Sequence, residues 1–119
     1  MFFLKIAIIG SRKIYNPDKI YNLIKENIPS NCSEIVSGGA AGIDTLAEKY
    51  ADEVGIRKKI ILPDYKKYGR SAPLIRNKEI IEYADIVYAF WDINSRGTAN
   101  SLQHCIESGT PMKVFSIKK

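Results

Sequence analysis

The sequence predicts an α/β domain in which five strands form a mainly parallel sheet and helices cover both of its faces. Short apolar runs, typical of strands buried on both faces, alternate along the chain with segments of amphipathic helical spacing. Strictly alternating strands and helices build parallel sheets through right-handed crossovers. We therefore expect one three-layer domain over residues 1–119.

Five apolar or β-branched runs are the predicted strands. The first reads KIAII and is apolar on both faces, and Pro63 ends the third. The predicted strands are residues 5–9, 34–36, 59–62, 85–90 and 112–115.

Capping residues mark the predicted helices between these strands. In Asn16-Pro17-Asp18 the asparagine suits an N-cap, the proline the first helical position and the aspartate the first turn. The second helix covers residues 43–54, with Gly55 as its C-terminal cap. A polar loop at residues 64–72 precedes a third helix that begins at Pro73, and a fourth follows Thr98 and ends at Gly109.

Composition limits the classes of function without choosing one. The 18 Lys and Arg against 13 Asp and Glu give a net charge of +5, which permits an anionic ligand but does not require one. We find no apolar run long enough to span a bilayer and no export signal, so we expect a cytoplasmic protein. Cys32 and Cys105 lack metal-type spacing, and the sequence indicates neither a metal site nor a resident cofactor.

Four loops follow strands and should therefore meet at the carboxyl edge of the sheet: residues 10–12, 37–44, 63–72 and 91–98. The second reads SGGAAGID and leads from a strand into a helix. A loop without bulky side chains lets a ligand approach the backbone, and a helix start offers N–H groups to phosphate. These features predict a phosphate-bearing ligand, with tight strand–helix packing as the alternative.

The predicted ligand-binding residues are loop glycines, polar side chains and cations. Arg76 is foremost, because a guanidinium binds phosphate in a bidentate manner. Thr98 is suited to capping a helix or contacting an anion, and tyrosines beside Lys66 and Lys67 suggest either single-strand binding or a lid. The full set is Gly10, Ser11, Arg12, Ser37, Gly38, Gly39, Gly42, Asp44, Arg76, Asn77, Arg96, Gly97 and Thr98.

Four segments, in order along the chain, resemble the SLOG superfamily: residues 10–12, 36–44, 76–77 and 96–98. This superfamily groups the DNA-processing protein A (Smf) domain with the Lonely Guy phosphoribohydrolases. Residues 36–44 are close to the DNA-processing pattern VSGxAxGID. The later Pro-x-x-Arg-Asn resembles a small stand-alone branch related to YspA and YpsA. The resemblance implies a Rossmann-like fold, a nucleotide or nucleotide-derived ligand across the loops, and a homo-oligomer.

The resemblance leaves three functions open. The first is nucleotide binding as a sensor, carrier or weak enzyme, the second is N-glycosidic hydrolysis of nucleoside monophosphates, and the third is binding of single-stranded nucleic acid. Lonely Guy enzymes carry GGxGTxxE, but Ser101 stands at the glutamate position here, so we expect hydrolysis to be very slow or absent. Arg76, Glu79 and Asp44 remain the candidate catalytic residues.

An ordinary dinucleotide-binding fingerprint is a rival interpretation of the glycine-rich loop. Residues 37–42 fit GxGxxG with Ser37 in the first place, and Asp64 lies about 20 residues further on. That fingerprint normally follows the first strand of the fold, whereas this loop follows the second.

Overall fold

A computed structural model describes residues 3–118, and the terminal residues 1, 2 and 119 of the predicted domain lie outside it. The strands are β1 (Leu4–Gly10), β2 (Cys32–Ser37), β3 (Arg57–Ile60), β4 (Ile86–Trp91) and β5 (Met112–Ser116). The helices are α1 (Pro17–Asn27), α2 (Ile43–Val54), α3 (Tyr65–Tyr68), α4 (Ala72–Tyr83) and α5 (Arg96–Ser108). Every strand pairing is parallel, and the strand order is β3-β2-β1-β4-β5. The predicted α/β class is confirmed.

Side chains of β1 show how the three layers are built. Ile6 and Ile8 belong to a buried cluster with residues of α1 and α2, whereas Ala7 and Ile9 belong to a second cluster with residues of α4 and α5. Successive residues of a strand point to opposite faces, so an unbroken apolar run supplies both cores.

Two predictions along the third strand and the loop after it are wrong. β3 covers Arg57–Ile60 instead of residues 59–62, because it is an edge strand that pairs only with β2, and exposed edge strands favour charged residues over an apolar run. Residues 64–72, predicted as a loop, contain α3 and a 3-10 turn at Gly69–Ser71. The carboxylate of Asp64 caps α3 by accepting a 3.1 Å hydrogen bond from the Lys67 N–H.

The strand order reverses between β1 and β4. The chain proceeds from β1 to β2 and β3 on one side, then returns to place β4 on the other side of β1. At this junction the Ser11 N–H donates a 3.2 Å hydrogen bond to the Phe90 carbonyl oxygen. Ligands of such sheets bind in the crevice outside the strand ends at this point. Within residues 3–118, no helix has the length and apolar character needed to cross a membrane.

Candidate phosphate-binding site

A cavity of about 440 Å³ opens at the carboxyl edge of the sheet, beside the β1–β4 junction. The turns after β1, β2 and β4 bound it together with the first turns of α4 and α5. Eight of the predicted ligand-binding residues line it: Gly10, Arg12, Gly38, Asp44, Arg76, Asn77, Gly97 and Thr98.

The other predicted residues lie outside the cavity lining: Ser11, Ser37, Gly39, Gly42, Arg96 and Glu79. Ser11 is buried behind the cavity, where its hydroxyl oxygen accepts a 3.0 Å hydrogen bond from the Asp92 N–H and its carbonyl accepts one of 3.1 Å from the Ile43 N–H. Ser11 thus joins the turns after β1 and β4 to the start of α2. Glu79 is exposed on α4.

Backbone N–H groups of the glycine-rich turn are engaged within the protein. The Ala40 N–H donates to Asp44 Oδ2 at 3.1 Å, and the Gly39 N–H donates to Ser37 Oγ at 3.3 Å. Close packing accounts for Gly42, which has a φ of 75°, and where an added Cβ would lie 2.3 Å from the Ser11 carbonyl oxygen. The glycine-rich turn therefore fits tight strand–helix packing better than a loop whose free N–H groups bind a phosphate.

The N-terminus of α5 is the more open helix end at the cavity. Ser95 is its N-cap, since Ser95 Oγ accepts hydrogen bonds from the Thr98 N–H at 3.4 Å and from the Thr98 hydroxyl at 3.2 Å. Of the two roles open to Thr98, capping is thus taken by Ser95, and contact with an anion stays a prediction. An added Cβ on Gly97 would meet nothing within 4 Å. The first N–H groups of a helix have no intrahelical partner and attract anions.

Arg76 is a buried cation in the cavity wall, with only 6% of its surface exposed. Its Nη1 donates to the Gly38 carbonyl oxygen at 2.5 Å, and its Nε donates to Asn77 Oδ1 at 3.1 Å. Burial lowers the pKa of Arg76, while the negative charge of Asp44 opposes that change. Burial likewise raises the pKa of Asp44, against a hydrogen bond from Ala40 and the charge of Arg76. The positive charge of Arg76 and the negative charge of Asp44 thus lie near one another in the cavity lining.

In the turn between β4 and α5, Asp92 and Asn94 line the cavity although the sequence patterns did not single them out. Asp92 Oδ1 accepts hydrogen bonds from the N–H groups of Asn94 at 2.9 Å and Ser95 at 2.8 Å. Burial raises the pKa of Asp92, but these hydrogen bonds outweigh it and the net shift is downward. An Asp followed by Asn and Ser is the sequence signal of such a turn. Lys13, Asn94 and Ser101 also line the cavity.

The sheet order and the position of the cavity define a Rossmann-like α/β protein, of the class that binds ligands outside the carboxyl ends of its strands. Residues 3–68 match the model of the DNA recombination-mediator protein A family, and the chain belongs to this family. The match confirms the predicted place in the SLOG superfamily. No curated protein sequence matches the chain.

Two solved structures share the fold. DNA processing protein A from Streptococcus pneumoniae has a TM-score of 0.75 at 20% identity, covering 94% of this chain and 50% of that protein. DNA processing protein A from Helicobacter pylori, described for its single-stranded DNA binding mode, has a TM-score of 0.73 at 23% identity, covering 93% of this chain and 64% of that protein. This chain thus spans between half and two thirds of these two proteins.

Proposed function

We propose that this protein binds the phosphate group of a nucleotide or nucleotide-derived molecule in the cavity at the carboxyl edge of the sheet. The observation that carries the proposal is the burial of Arg76 in the cavity wall. A buried cation is costly unless its donors are satisfied. A guanidinium has five N–H groups, and hydrogen bonds to Gly38 and Asn77 use two of them. A phosphate would bind the remaining donors.

The surroundings of Arg76 suit the same ligand. Arg12 and Lys13 add two exposed cations to the cavity lining, and Gly97 leaves open space at the N-terminus of α5. A volume of about 440 Å³ falls within the usual range of small-molecule sites, about 300–1,000 Å³. These features support a ligand that carries an anionic group and a larger organic part.

Thermal unfolding with inorganic phosphate and a panel of nucleoside monophosphates tests the proposal. Ligand at a hundredfold excess over its Kd stabilises the native state by about 2.7 kcal/mol through mass action, so the Tm should rise. Arg76→Met should abolish the rise. Arg57→Met is the matched control, because Arg57 is exposed at the start of β3, on the opposite edge of the sheet. A wild-type Tm that no nucleotide changes would refute the proposal.

A second candidate function is binding of single-stranded DNA, which membership of the DNA recombination-mediator family favours. The charge distribution supports it independently. Segments 11–16, 38–42, 61–71 and 92–96 at the carboxyl edge hold six Lys and Arg but only two acids, Asp64 and Asp92. Both of these carboxylates accept backbone N–H groups. At the opposite edge, segments 28–31, 55–56, 84–85 and 109–111 hold no Lys or Arg and one acid, Asp85. A polyanion would therefore meet more net positive charge on these segments at the carboxyl edge than on the segments at the opposite edge.

Salt dependence separates the two candidates. For a single strand, log K falls with log[salt] by about 0.7 per phosphate contact. A labelled oligodeoxynucleotide titrated at several salt concentrations should therefore give a slope of log K against log[salt] that corresponds to several phosphate contacts. Arg12→Ala should reduce that slope. No binding, or a flat salt response, would remove the second candidate while leaving nucleotide binding intact.

Other features implied by the resemblance stay predictions. Ser101 lines the cavity, and the resemblance to Lonely Guy enzymes puts it at the glutamate position of their motif, which supports a sensor or carrier over a phosphoribohydrolase. Homo-oligomer formation and a cytoplasmic location likewise remain to be measured.

A further inference from the structure

Asp44 is a buried carboxylate in the cavity lining, and the proposed phosphate contact does not use it. Only 9% of its surface is exposed, and its Oδ2 accepts the Ala40 N–H at 3.1 Å. The Gly38 N–H and the charge of Arg76 also favour the ionised form, but burial outweighs these influences and raises the Asp44 pKa. An ionised carboxylate has about four acceptor sites. Asp44 therefore retains the capacity to accept hydrogen bonds from a molecule in the cavity.

Asp44 and Arg76 approach one another beside Gly38 without forming a direct ion pair. Arg76 Nη1 lies 2.7 Å, and Asp44 Oδ2 lies 3.0 Å, from the position that a Cβ on Gly38 would take. The ion pairs within residues 3–118 join other side chains, so the guanidinium and the carboxylate are neighbours that do not bind each other. A ligand group that reaches both must accept a hydrogen bond from Arg76 and donate one to Asp44. A hydroxyl group can do both.

We propose that Asp44 binds the vicinal hydroxyls at carbons 2 and 3 of a pentose 5-phosphate unit, and so makes the cavity selective for ribose over deoxyribose. The inference rests on the proposed function, since Arg76 holds the phosphate of the same ligand. A phosphate oxygen beside the Asp44 carboxylate would be repelled, whereas a neutral hydroxyl donates to it. The sugar is bonded directly to the 5-phosphate, so it is the part of the ligand that meets a carboxylate next to the phosphate-binding arginine.

The rest of the lining favours a sugar over a nucleobase at this position. Within residues 3–118, no aromatic side chain lines the cavity, so no ring there stacks on a base. Its larger apolar side chains are aliphatic, from Ile9, Leu74 and Ile80. Ser101 adds a hydroxyl, which both donates and accepts hydrogen bonds and is 4% exposed. Aliphatic surface with a carboxylate and a hydroxyl suits a saturated ring that carries several hydroxyl groups.

Isothermal titration calorimetry with ribose 5-phosphate and 2-deoxyribose 5-phosphate tests the inference, because the two compounds differ only in the 2-hydroxyl. The wild-type protein should bind the first about 10- to 100-fold more tightly, the range expected for one hydrogen bond to a charged group. AMP and dAMP should show the same ratio, and a comparison of AMP with ribose 5-phosphate shows whether the sugar is bound free or within a nucleotide.

Asp44→Asn should bring the ratio of ribose to deoxyribose affinities close to one, because a neutral amide oxygen is a weaker acceptor than a carboxylate. Its affinity for inorganic phosphate should hold or increase, since a negative charge beside the anion is removed. Asp52→Asn is the matched control, because Asp52 is exposed near the other end of α2 and should keep the wild-type ratio.

Three results would overturn the inference. Equal wild-type affinities for the ribose and deoxyribose compounds would show that no group in the cavity binds the 2-hydroxyl, and phosphate binding would still stand. An unchanged ratio in Asp44→Asn would assign the preference to another residue. An equal loss for all ligands, inorganic phosphate included, would mean that Asp44 supports the fold or the position of Arg76. If the wild-type protein binds neither inorganic phosphate nor any of these phosphate esters, the proposed function itself fails.

Discussion

The guanidinium of Arg76 donates a 2.5 Å hydrogen bond from Nη1 to the carbonyl oxygen of Gly38, and so fixes α4 to the turn that follows β2. Asp44 approaches the same glycine from the start of α2, since its Oδ2 would lie 3.0 Å from a Cβ at position 38. Gly38 is therefore the point at which the two buried charges of the cavity are held together.

Gly38→Ala should disturb this arrangement. The new Cβ would lie 2.7 Å from Arg76 Nη1, so the guanidinium must move. Inserting a methyl group into a packed site typically costs about 1–3 kcal/mol. We expect a cost near the lower value, because the atom that the methyl group meets is at the end of the flexible Arg76 side chain. We expect a modest loss of unfolding free energy in urea and a roughly tenfold weaker affinity for inorganic phosphate. Unchanged phosphate affinity would show that the position of Arg76 does not govern binding.

Gly97→Ala should separate binding from stability. A Cβ at Gly97 meets nothing within 4 Å, and alanine is favoured over glycine in a helix by up to about 1 kcal/mol. The Tm should therefore stay constant or rise. If the phosphate binds at the N-terminus of α5, the methyl group will obstruct it and the nucleotide affinity will fall. An affinity equal to that of the wild type would place the phosphate elsewhere in the cavity.

Ser11→Ala should act mainly on stability. Its hydroxyl oxygen accepts the Asp92 N–H at 3.0 Å in a buried setting, and an unsatisfied buried donor costs about 1–3 kcal/mol. We expect that loss in urea denaturation, whereas Ser30→Ala, at an exposed turn, should have little effect. If Ser11→Ala instead lowers phosphate affinity without lowering stability, Ser11 is a ligand contact.

Asp44→Asn should change how stability depends on pH. Burial raises the pKa of Asp44 above its ordinary 3.8, so the folded protein retains a proton that the unfolded chain has lost. The wild-type free energy of unfolding should thus fall as pH rises from 3.8 through the raised pKa, and rise again on acidification. The Asp44→Asn variant lacks this contribution. Urea denaturation at a series of pH values measures the difference, and parallel curves for the two proteins would contradict the prediction.

The same substitution should alter the pH dependence of anion binding. An anion beside Asp44 favours the protonated carboxyl, so wild-type affinity should increase as pH falls through the Asp44 pKa. An oligonucleotide is the suitable probe, because its phosphodiesters keep one charge over that range. The Asp44→Asn protein should show a flat profile over the same interval.

Hydrolysis of nucleoside monophosphates tests the role of Ser101. Ser101 is 4% exposed in the cavity lining, and it offers a hydroxyl at the position that the resemblance equates with the glutamate of the Lonely Guy motif. The absence of one acid–base group typically costs about 10²–10⁴-fold in rate. We expect negligible release of free base by the natural protein, with Ser101→Glu as the variant able to gain activity. Robust natural turnover that depends on Glu79 or Asp44 would contradict this assignment.

The sequence predicts most of the fold because buried strands and capped helices leave strong local signals. The run Ile6–Ile9 lies within the observed β1. The segment Asn16-Pro17 forms the N-cap and first residue of α1, as predicted. β3 gave a weak signal, because Arg57–Ile60 lies at a sheet edge and its side chains face solvent. The single turn of α3 rests on one capping residue, Asp64, which is too little local pattern to distinguish it from a loop.

The candidate site is harder to predict, because its geometry comes from contacts that are distant in sequence. Arg76 and Gly38 are 38 residues apart, so nothing local indicates that the guanidinium binds this carbonyl. The glycine-rich turn suggested free N–H groups, but Ser37 and Asp44 accept the hydrogen bonds of Gly39 and Ala40. Residue type therefore pointed to the edge of the sheet at which the cavity lies, while tertiary packing decides which donors remain available.

The hydrogen bond from the Asp92 N–H to Ser11 Oγ closes a loop of 81 residues, and this separation affects the order of folding. Such a contact forms only after most of the chain has collapsed, because the entropy of closing long loops slows non-local pairing. The cavity should thus be among the last parts of the protein to assemble. A ligand added during refolding should then slow unfolding far more than it accelerates folding, since it binds a structure that is absent from the transition state.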